Sequence, residues 1–419
     1  MAQHSYRRVI WHSILLGVVG GVTGLVYLFL IETATHVIWP DEQSFEWFSG
    51  GPETVIIPLA AGLIVGVLYK ILKVPGRLKG MFAELEEGHV EPKTAPAALL
   101  IAWVSLVGGA SLGPEAPLGT AGGGAGTWLS RRTGGDAEDT RVATFAGISA
   151  VFGGVLSTPI GAPLLAFELE HQQSHEFYFQ QMVPGLIAGS IGFGIMWPVI
   201  GTPFVGLYTF DSVDFRSWML VAGAGIGIVA GLAALGVGKV IVGVVSWMRR
   251  LDERPVARGL IGGAAVAAIA FAMPLTLFSG AAGLQPVFQQ PEALGVGLLL
   301  MLALLKTVAL GASLGAGFYG GPIFPMLFVG GTLGAAIHLL VPAIPLAIAA
   351  GSAMAAIGAA LAMVPLSMAL IGTLLIQGGL LQSAVVVIAA TTGFAIRYVL
   401  APPRQRSDAS EASAATRSA

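Results

Sequence analysis

Long apolar runs dominate this sequence of 419 residues. Four of them, residues 9–30, 55–72, 218–245 and 294–314, are close to the roughly 20 residues that an α-helix needs to cross a bilayer. Only 11% of the residues are charged, against about 25% in soluble domains. Backbone in lipid must satisfy its own hydrogen bonds, so the sequence predicts an all-α protein that crosses the membrane several times.

The distribution of Lys and Arg predicts which loops face the cytoplasm. Arg7 and Arg8 precede the first run, whereas residues 36–53 contain acids and tryptophans but neither Lys nor Arg. Basic residues return between positions 70 and 79, after the second run. We therefore expect an integral protein of the cytoplasmic (inner) membrane with a cytoplasmic N-terminus.

One motif occurs twice. Residues 113–126 read GPEAPLGTAGGGAG and residues 321–334 read GPIFPMLFVGGTLG, so both contain Gly-Pro-x-x-Pro and Gly-Gly-x-x-Gly at one spacing. The pentapeptide GASLG also recurs, at 109–113 and 311–315, which implies an inserted AGFYG before the second motif.

A further pair of prolines supports an internal duplication. Pro159 and Pro365 follow the two motifs with an offset of 206, close to the offset of 208 between the motifs. Landmarks in the same order at nearly one spacing indicate duplication rather than the general tolerance of membrane helices for Gly and Pro. We predict two membrane repeats, residues 1–210 and 211–403, followed by a disordered polar tail at 404–419.

Each Gly-Pro-x-x-Pro motif predicts a helix that begins inside the membrane, because proline is favoured in the first helical turn. Such a start leaves backbone N–H groups unpaired and carries the positive end of the helix dipole. Two starts that converge from two repeats would bind an anion without any Lys or Arg. The predicted anion-binding residues are Gly113, Pro114, Glu115, Ala116, Gly321, Pro322, Ile323 and Phe324.

Glu115 is the one charged residue between positions 107 and 126, and its counterpart in the second repeat is Ile323. A carboxylate in the first turn accepts the same N–H groups that a bound anion would accept, and it leaves them when it is protonated. The alternative is a Glu that only caps its helix. Because intramembrane carboxylates are functional by default, we predict that Glu115 is a gate.

Other ionisable residues allow more than one interpretation. Glu168 and Glu170 close a short apolar segment, and they either relay protons or are solvated at a helix end. Lys306 lies inside an apolar run, where it either snorkels or packs near the site. The charge run FAELEEGHVEPK, residues 82–93, is predicted to be the exposed face of a cytoplasmic helix.

The sequence predicts neither a metal site nor a cofactor. It contains no cysteine, and the histidines outside the Glu168 region are scattered, at His4, His12, His36, His89 and His338. Ser111 and Ser149 lie among small residues without a nearby His that could act as a base, so we do not expect an enzyme. No feature of the sequence predicts a nucleic-acid partner.

These residues resemble the CLC family of chloride channels and chloride/proton exchangers. The likeness rests on GGASLGPEAP at 108–117, STPIGAPLLAFELE at 157–170 and LLKTVALGASLGAGFYGGPIFPMLFVGG at 304–331. It implies inverted-topology repeats with broken, re-entrant helices, a homodimer with one pore per subunit, and two cytoplasmic termini. Under this resemblance Glu115 is the external gating glutamate, and residues 321–325 form the second anion-coordinating loop.

The sequence also departs from the family pattern. The resemblance places a serine that contacts the central anion near residues 73–88, which contain no serine, and an inner proton glutamate at Leu169. It offers Tyr398 as a candidate for the tyrosine of the inner gate. Pro114 and Pro322 each lack the amide N–H that the family directs at the anion.

Together these features predict transport of a small inorganic anion, first of all chloride, through a pore at the repeat interface that Glu115 gates. Loss of the inner glutamate and the serine predicts weak or absent proton coupling. A strictly coupled chloride/proton antiporter stays open, because Glu168 or Glu170 could relay protons. Further alternatives are fluoride or another anion, and an organic substrate on the same scaffold, although an organic substrate needs a more polar cavity than these runs offer.

Overall fold

A computed structural model describes residues 3–39, 50–74, 76–80, 83–84, 87–169, 178–201 and 206–401. Fifteen α-helices have their bounds within these residues, and short loops join most of them. The predicted tail at 404–419 and Glu170 lie outside the described residues. The prediction of an all-α membrane protein is confirmed.

Seven helices belong to the predicted first repeat, and a single π-turn, Tyr178–Met182, leads into the last of them. They are α1 (Gln3–Ile38), α2 (Glu53–Ile71), α3 (Ala95–Val107), α4 (Glu115–Arg132), α5 (Ala137–Val155), α6 (Gly161–Leu169) and α7 (Val183–Ile200).

Eight helices belong to the predicted second repeat. They are α8 (Trp218–Met248), α9 (Pro255–Ala272), α10 (Leu284–Gln289), α11 (Pro291–Ala316), α12 (Ile323–Leu340), α13 (Leu346–Ala362), α14 (Pro365–Leu375) and α15 (Leu380–Leu400).

Length and hydropathy together distinguish the helices that could cross a membrane from those that could not. In the described part of the chain, eight helices are long and apolar enough to cross a membrane, namely α1, α2, α7, α8, α9, α11, α12 and α15. By contrast, α3 has 13 residues, α6 has 9 and α14 has 11, fewer than the roughly 20 that a span needs. Non-helical backbone at membrane depth is tolerated where protein surrounds it, so these short helices place their loops inside the molecule.

Left-handed backbone positions recur at equivalent places in the two repeats. Gly109 has φ of 79° and Gly317 has φ of 88°, while Ser157 and Met363 have φ of 55° and 63°. The first pair is 208 positions apart and the second 206, which are the offsets of the motifs and of the proline pair. The segments before the two motifs therefore align without a gap. The second GASLG, residues 311–315, lies in the last turns of α11, so the expected AGFYG insertion is wrong.

Glycines allow α4 and α5 to pack in direct backbone contact. A Cβ atom on Gly147 of α5 would lie 2.0 Å from the carbonyl oxygen of Gly122 in α4. One on Gly126 would lie 2.1 Å from the carbonyl oxygen of Ala143. Small residues permit this approach in membranes, where van der Waals packing replaces the hydrophobic effect between helices. The contact holds α4, and with it the helix start at Glu115, against the rest of the first repeat.

We predict that Gly147→Ala lowers the apparent unfolding temperature in detergent, because its methyl group would push α5 away from α4. Overpacking of this kind costs about 1–3 kcal/mol. The matched control is Gly225→Ala in α8, where a Cβ atom meets no atom within 4 Å. There the higher helix propensity of alanine should leave the temperature unchanged or raise it. Equal unfolding temperatures for Gly147→Ala and the wild type would contradict the packing described here.

Candidate functional site

The two predicted helix starts meet at a pair of backbone hydrogen bonds. The N–H of Gly113 donates to the carbonyl oxygen of Gly321, and the N–H of Gly321 donates to that of Gly113, each at 2.8 Å. The pairing is antiparallel, so the chain passes this crossing in opposite senses in the two repeats. This is the relation expected of inverted-topology repeats.

Two further hydrogen bonds obey the same relation. Ser105 of α3 accepts at Oγ from the N–H of Tyr319 at 3.1 Å, and Ser313 of α11 accepts at Oγ from the N–H of Ser111 at 3.0 Å. Ser105 and Ser313 are 208 positions apart, as are Ser111 and Tyr319. Each repeat therefore uses a buried serine at the end of a helix to hold the loop of the other repeat. These bonds satisfy loop N–H groups that would otherwise be unpaired inside the membrane.

The Glu115 side chain is fully buried at this crossing, with 0% exposure. Its Oε1 atom accepts a hydrogen bond from the N–H of Ile323 at 2.7 Å. The carboxylate also interacts with the amide of Phe324 and with its own backbone amide. A carboxylate from the first repeat thus occupies the amide donors at the start of α12 in the second repeat, where the helix dipole favours negative charge.

Glycine provides the space that this carboxylate fills. A Cβ atom on Gly321 would lie 2.1 Å from Cδ of Glu115, and one on Gly113 would lie 2.0 Å from its Oε2. That Oε2 atom is buried and has no hydrogen-bond partner among the described residues. The Oε2 atom therefore has no protein hydrogen bond to lose when the carboxylate leaves.

The structure brings the predicted anion-binding residues together. Residues 113–116 and 321–324 lie at the two helix starts, and all of them are buried except the half-buried Pro114 and Pro322. Each proline takes the N-cap position directly before the first helical residue. The donors directed at the carboxylate come from the residues that follow Pro322, so the missing proline N–H does not prevent α12 from binding a negative charge.

The hydrogen-bond partners of Glu168 are those of a helix cap rather than those of a proton relay. Its Oε1 accepts from the N–H of Leu366, and its Oε2 accepts from the N–H and the Oγ of Ser367, at 2.5, 2.8 and 2.6 Å. These donors belong to the first turn of α14, so the carboxylate caps a broken helix of the second repeat. The geometry favours a stabilising role and does not connect Glu168 to Glu115.

The structure does not bring Tyr398 to this site. Its side chain lies on α15 and is 50% exposed, and its ring stacks on Phe394 of the same helix with a centroid distance of 5.7 Å. An inner gate formed by Tyr398 stays a prediction without support from its position.

Lys306 is buried, with 0% exposure, and does not snorkel. Its Nζ donates to the carbonyl oxygens of Thr276, Leu277 and Phe278 at 2.9, 3.2 and 2.8 Å, and it lies over the ring of Phe328. The N–H of Phe278 donates in turn to the carbonyl oxygen of Gly109, at the loop before α4. Lys306 therefore braces the loop that leads into the site, in agreement with the packing interpretation.

Sequence reasoning missed three residues beside the crossing. Glu84, assigned to an exposed charge run, is only 8% exposed, and its Oε2 accepts from the Oγ of Thr120 at 2.8 Å. That same Oγ lies 2.6 Å from the hydroxyl of Tyr319. An inward-facing acid in a run of acids has no sequence signature, because neither periodicity nor spacing distinguishes it from its neighbours.

The protein family described as voltage gated chloride channel matches residues 61–397. The chain belongs to this family. The predicted resemblance to the CLC proteins is confirmed, and the family consists of channels and transporters rather than enzymes.

Similar proteins agree on fold and family. A chloride/fluoride channel protein of Pseudomonas syringae pv. tomato is 27% identical over 349 residues, covering 79% of this chain and 74% of that protein. A slow cyanobacterial Cl−/H+ antiporter has a TM-score of 0.80 at 17% identity, covering 94% of this chain and 95% of that one. A CLC-type fluoride/proton antiporter also has a TM-score of 0.80, at 18% identity, covering 95% and 97%. Both structures therefore share the overall fold of this chain.

We predict that Glu168→Ala lowers the apparent unfolding temperature in detergent, because α14 would lose its cap. Loss of a helix cap costs about 0.5–2 kcal/mol. Glu292→Ala is the control, since Glu292 is an exposed acid in the first turn of α11. If Glu168→Ala and Glu292→Ala unfolded at the same temperature, the capping role would be refuted.

Proposed function

We propose that this protein moves a small inorganic anion, chloride in the first instance, through a pore at the repeat interface that Glu115 gates. The observation that carries this proposal is the bond between the Glu115 carboxylate and the N–H of Ile323. A carboxylate is itself an anion, and the donors that hold it at a buried helix start would hold a free anion equally well. The pore is closed while Glu115 occupies them.

Gate opening follows from the same geometry. Protonation removes the negative charge of Glu115 and with it the attraction to the start of α12. The amide donors of Ile323 and Phe324 are then available to the permeating anion. Because glycine at 113 and 321 leaves room around the carboxylate, an anion of similar size can take its place without displacing backbone.

Fluoride is the second candidate. The Pseudomonas syringae relative is named as a chloride/fluoride channel protein. Backbone amides at a helix start bind by charge and do not select strongly by size, so the site of this chain suits either halide. An anion series in the flux assay separates the two, and transport of an organic acid without any halide flux would favour the organic-substrate alternative.

Weak or absent proton coupling is the expected mode. The resemblance places an inner proton glutamate at position 169, which is Leu169 in this chain. Both oxygens of the neighbouring Glu168 accept hydrogen bonds from the first turn of α14. A strictly coupled antiporter would need another route for the proton. We also expect a homodimer in the cytoplasmic membrane with both termini in the cytoplasm, as the family resemblance implies.

Glu115→Gln is predicted to raise chloride flux from reconstituted liposomes at pH 7.5. A hydrogen bond to a charged group contributes about 1.5–3 kcal/mol and a neutral one about 0.5–1.5 kcal/mol, so glutamine should release the donors roughly 10-fold more often. Efflux is followed with an ion-selective electrode, and Glu292→Gln serves as the exposed control. The gating role is wrong if Glu115→Gln leaves both the flux and its pH dependence unchanged.

An outward chloride gradient is predicted to drive no uphill proton movement. Proton and chloride movement are recorded in the same vesicles, with a protonophore added at the end to show that the vesicles are tight. Uphill proton transport at a fixed chloride-to-proton ratio would contradict weak coupling and establish an antiporter.

A further inference from the structure

Glu84 is a buried acid that the gate at Glu115 does not use. It lies in the segment between α2 and α3, which the distribution of basic residues places on the cytoplasmic side. Only 8% of its surface is exposed. Its Oε2 atom accepts from the Oγ of Thr120 at 2.8 Å, so a carboxylate from the cytoplasmic segment reaches into α4.

The hydroxyl that holds Glu84 is close to the crossing. Thr120 follows Glu115 by five residues on α4, a rise of about 7 Å along the helix axis. Helix α4 runs from the crossing toward Arg131 and Arg132, and the positive-inside rule places these basic residues on the cytoplasmic side. Thr120 therefore lies on the inner side of Glu115. Tyr319, whose hydroxyl is 2.6 Å from the same Oγ, precedes Gly321 by two residues. The Thr120 and Tyr319 hydroxyls thus lie on the cytoplasmic side of the crossing.

The protons available on Glu84, Thr120 and Tyr319 determine which group donates in each hydrogen bond. Thr120 has a single hydroxyl proton, and an ionised Glu84 can only accept, so Thr120 donates to Glu84 and Tyr319 donates to Thr120. When Glu84 is protonated it becomes a donor itself. Glu84 can then leave the Thr120 hydroxyl, whose proton turns to the carbonyl oxygen of Ala116, 3.1 Å from its Oγ, until an anion enters and accepts it. Neither state leaves the threonine hydroxyl without a partner.

We propose that Glu84 is a second carboxylate gate, on the cytoplasmic side, and that the permeating anion takes its place on the Thr120 hydroxyl when Glu84 is protonated. This inference rests on the proposed function. As at Glu115, a buried donor that holds a carboxylate also holds a small anion. The pathway then has two carboxylate gates in series, one at the helix starts and one inside them.

Burial places the titration of Glu84 in the physiological range. Burial is the main cause that raises the pKa of Glu84 to about 7, and the nearby charge of Glu87 adds to it. The Thr120 bond and the charge of Lys79 act in the opposite direction, and Lys79 is itself paired with Glu87 at 2.7 Å. The side chains of Tyr319, Tyr69 and Tyr27 also face this region. Their phenol groups are uncharged near pH 7.

The sign of the pH effect follows. A carboxyl group with a pKa of about 7 is about 90% protonated at pH 6 and about 10% protonated at pH 8. The inner gate is therefore open at pH 6 and mostly closed at pH 8, a change of roughly ninefold in the open fraction.

The test uses the full chain in liposomes with the same pH on both sides, in a Glu115→Gln background that removes the first gate. We expect chloride flux in this background to fall roughly ninefold from pH 6 to pH 8. Adding Glu84→Gln should abolish that fall and keep flux high at pH 8. Adding Glu87→Gln, the matched acid in the same segment, should leave the fall in place. An unchanged pH profile in Glu115→Gln/Glu84→Gln overturns the inner gate.

A second variant separates gating from folding. Thr120→Val in the Glu115→Gln background removes the donor that stabilises the ionised Glu84, so the midpoint of the pH profile should shift to more alkaline pH. A merely structural role would lower the amount of folded protein without moving this midpoint. If Glu84→Gln does not yield folded protein, the Thr120→Val midpoint decides: an alkaline shift supports the gate and an unmoved midpoint overturns it.

Failure of this inference differs from failure of the proposed function. If Glu115→Gln raises flux over the wild type but Glu84→Gln then changes nothing, the inner gate is wrong and the anion pathway stands. If neither the wild type nor Glu115→Gln conducts chloride or fluoride, the anion pathway is wrong, and the inner gate is overturned with it.

Discussion

The reciprocal hydrogen bonds between Gly113 and Gly321 are the interaction on which the rest of this structure depends. Each repeat begins a helix inside the protein, and such a start exposes amide groups that water cannot reach. The crossing satisfies one N–H and one C=O from each side, and Ser105 and Ser313 satisfy two more N–H groups by the same exchange. Neither repeat can satisfy these groups alone, so the two halves stabilise one another at the crossing where we propose the pore.

The two repeats are equivalent in backbone but not in charge. Glu115 occupies the start of α12 and Glu168 the start of α14, so two carboxylates of the first repeat bind helix starts of the second. One contact uses a single oxygen and leaves the other without a partner, while the other contact uses both. The unpartnered oxygen of Glu115 suits a carboxylate that moves. The hydrogen bonds to both oxygens of Glu168 suit one that stays. The asymmetry of the two repeats thus lies in their carboxylates rather than in their backbone.

Much of the site could be predicted from the sequence, because its elements are local. Gly and Pro at fixed spacing predict a buried helix start, and a lone carboxylate at that start predicts a gate. By contrast, the exposed position of Tyr398 and the capping role of Glu168 depend on which residues of α15 and α14 face the interior. Similarly, the repeated sequence GASLG aligns residues 109–113 with 311–315, whereas backbone conformation pairs Gly109 with Gly317.

The sequence by itself determined the class of protein, the duplication and the lone carboxylate that we propose as the gate. Apolar run length, the positions of Gly and Pro, and the scarcity of charge all act within a few residues of one another, so they can be read without a fold. Only the tertiary structure decided which donors each carboxylate meets. Glu84, Thr120 and Tyr319 come from three separate segments, and only packing brings them within hydrogen-bond distance. Contacts between distant segments leave no local pattern, because the same acid in the same run could equally face water.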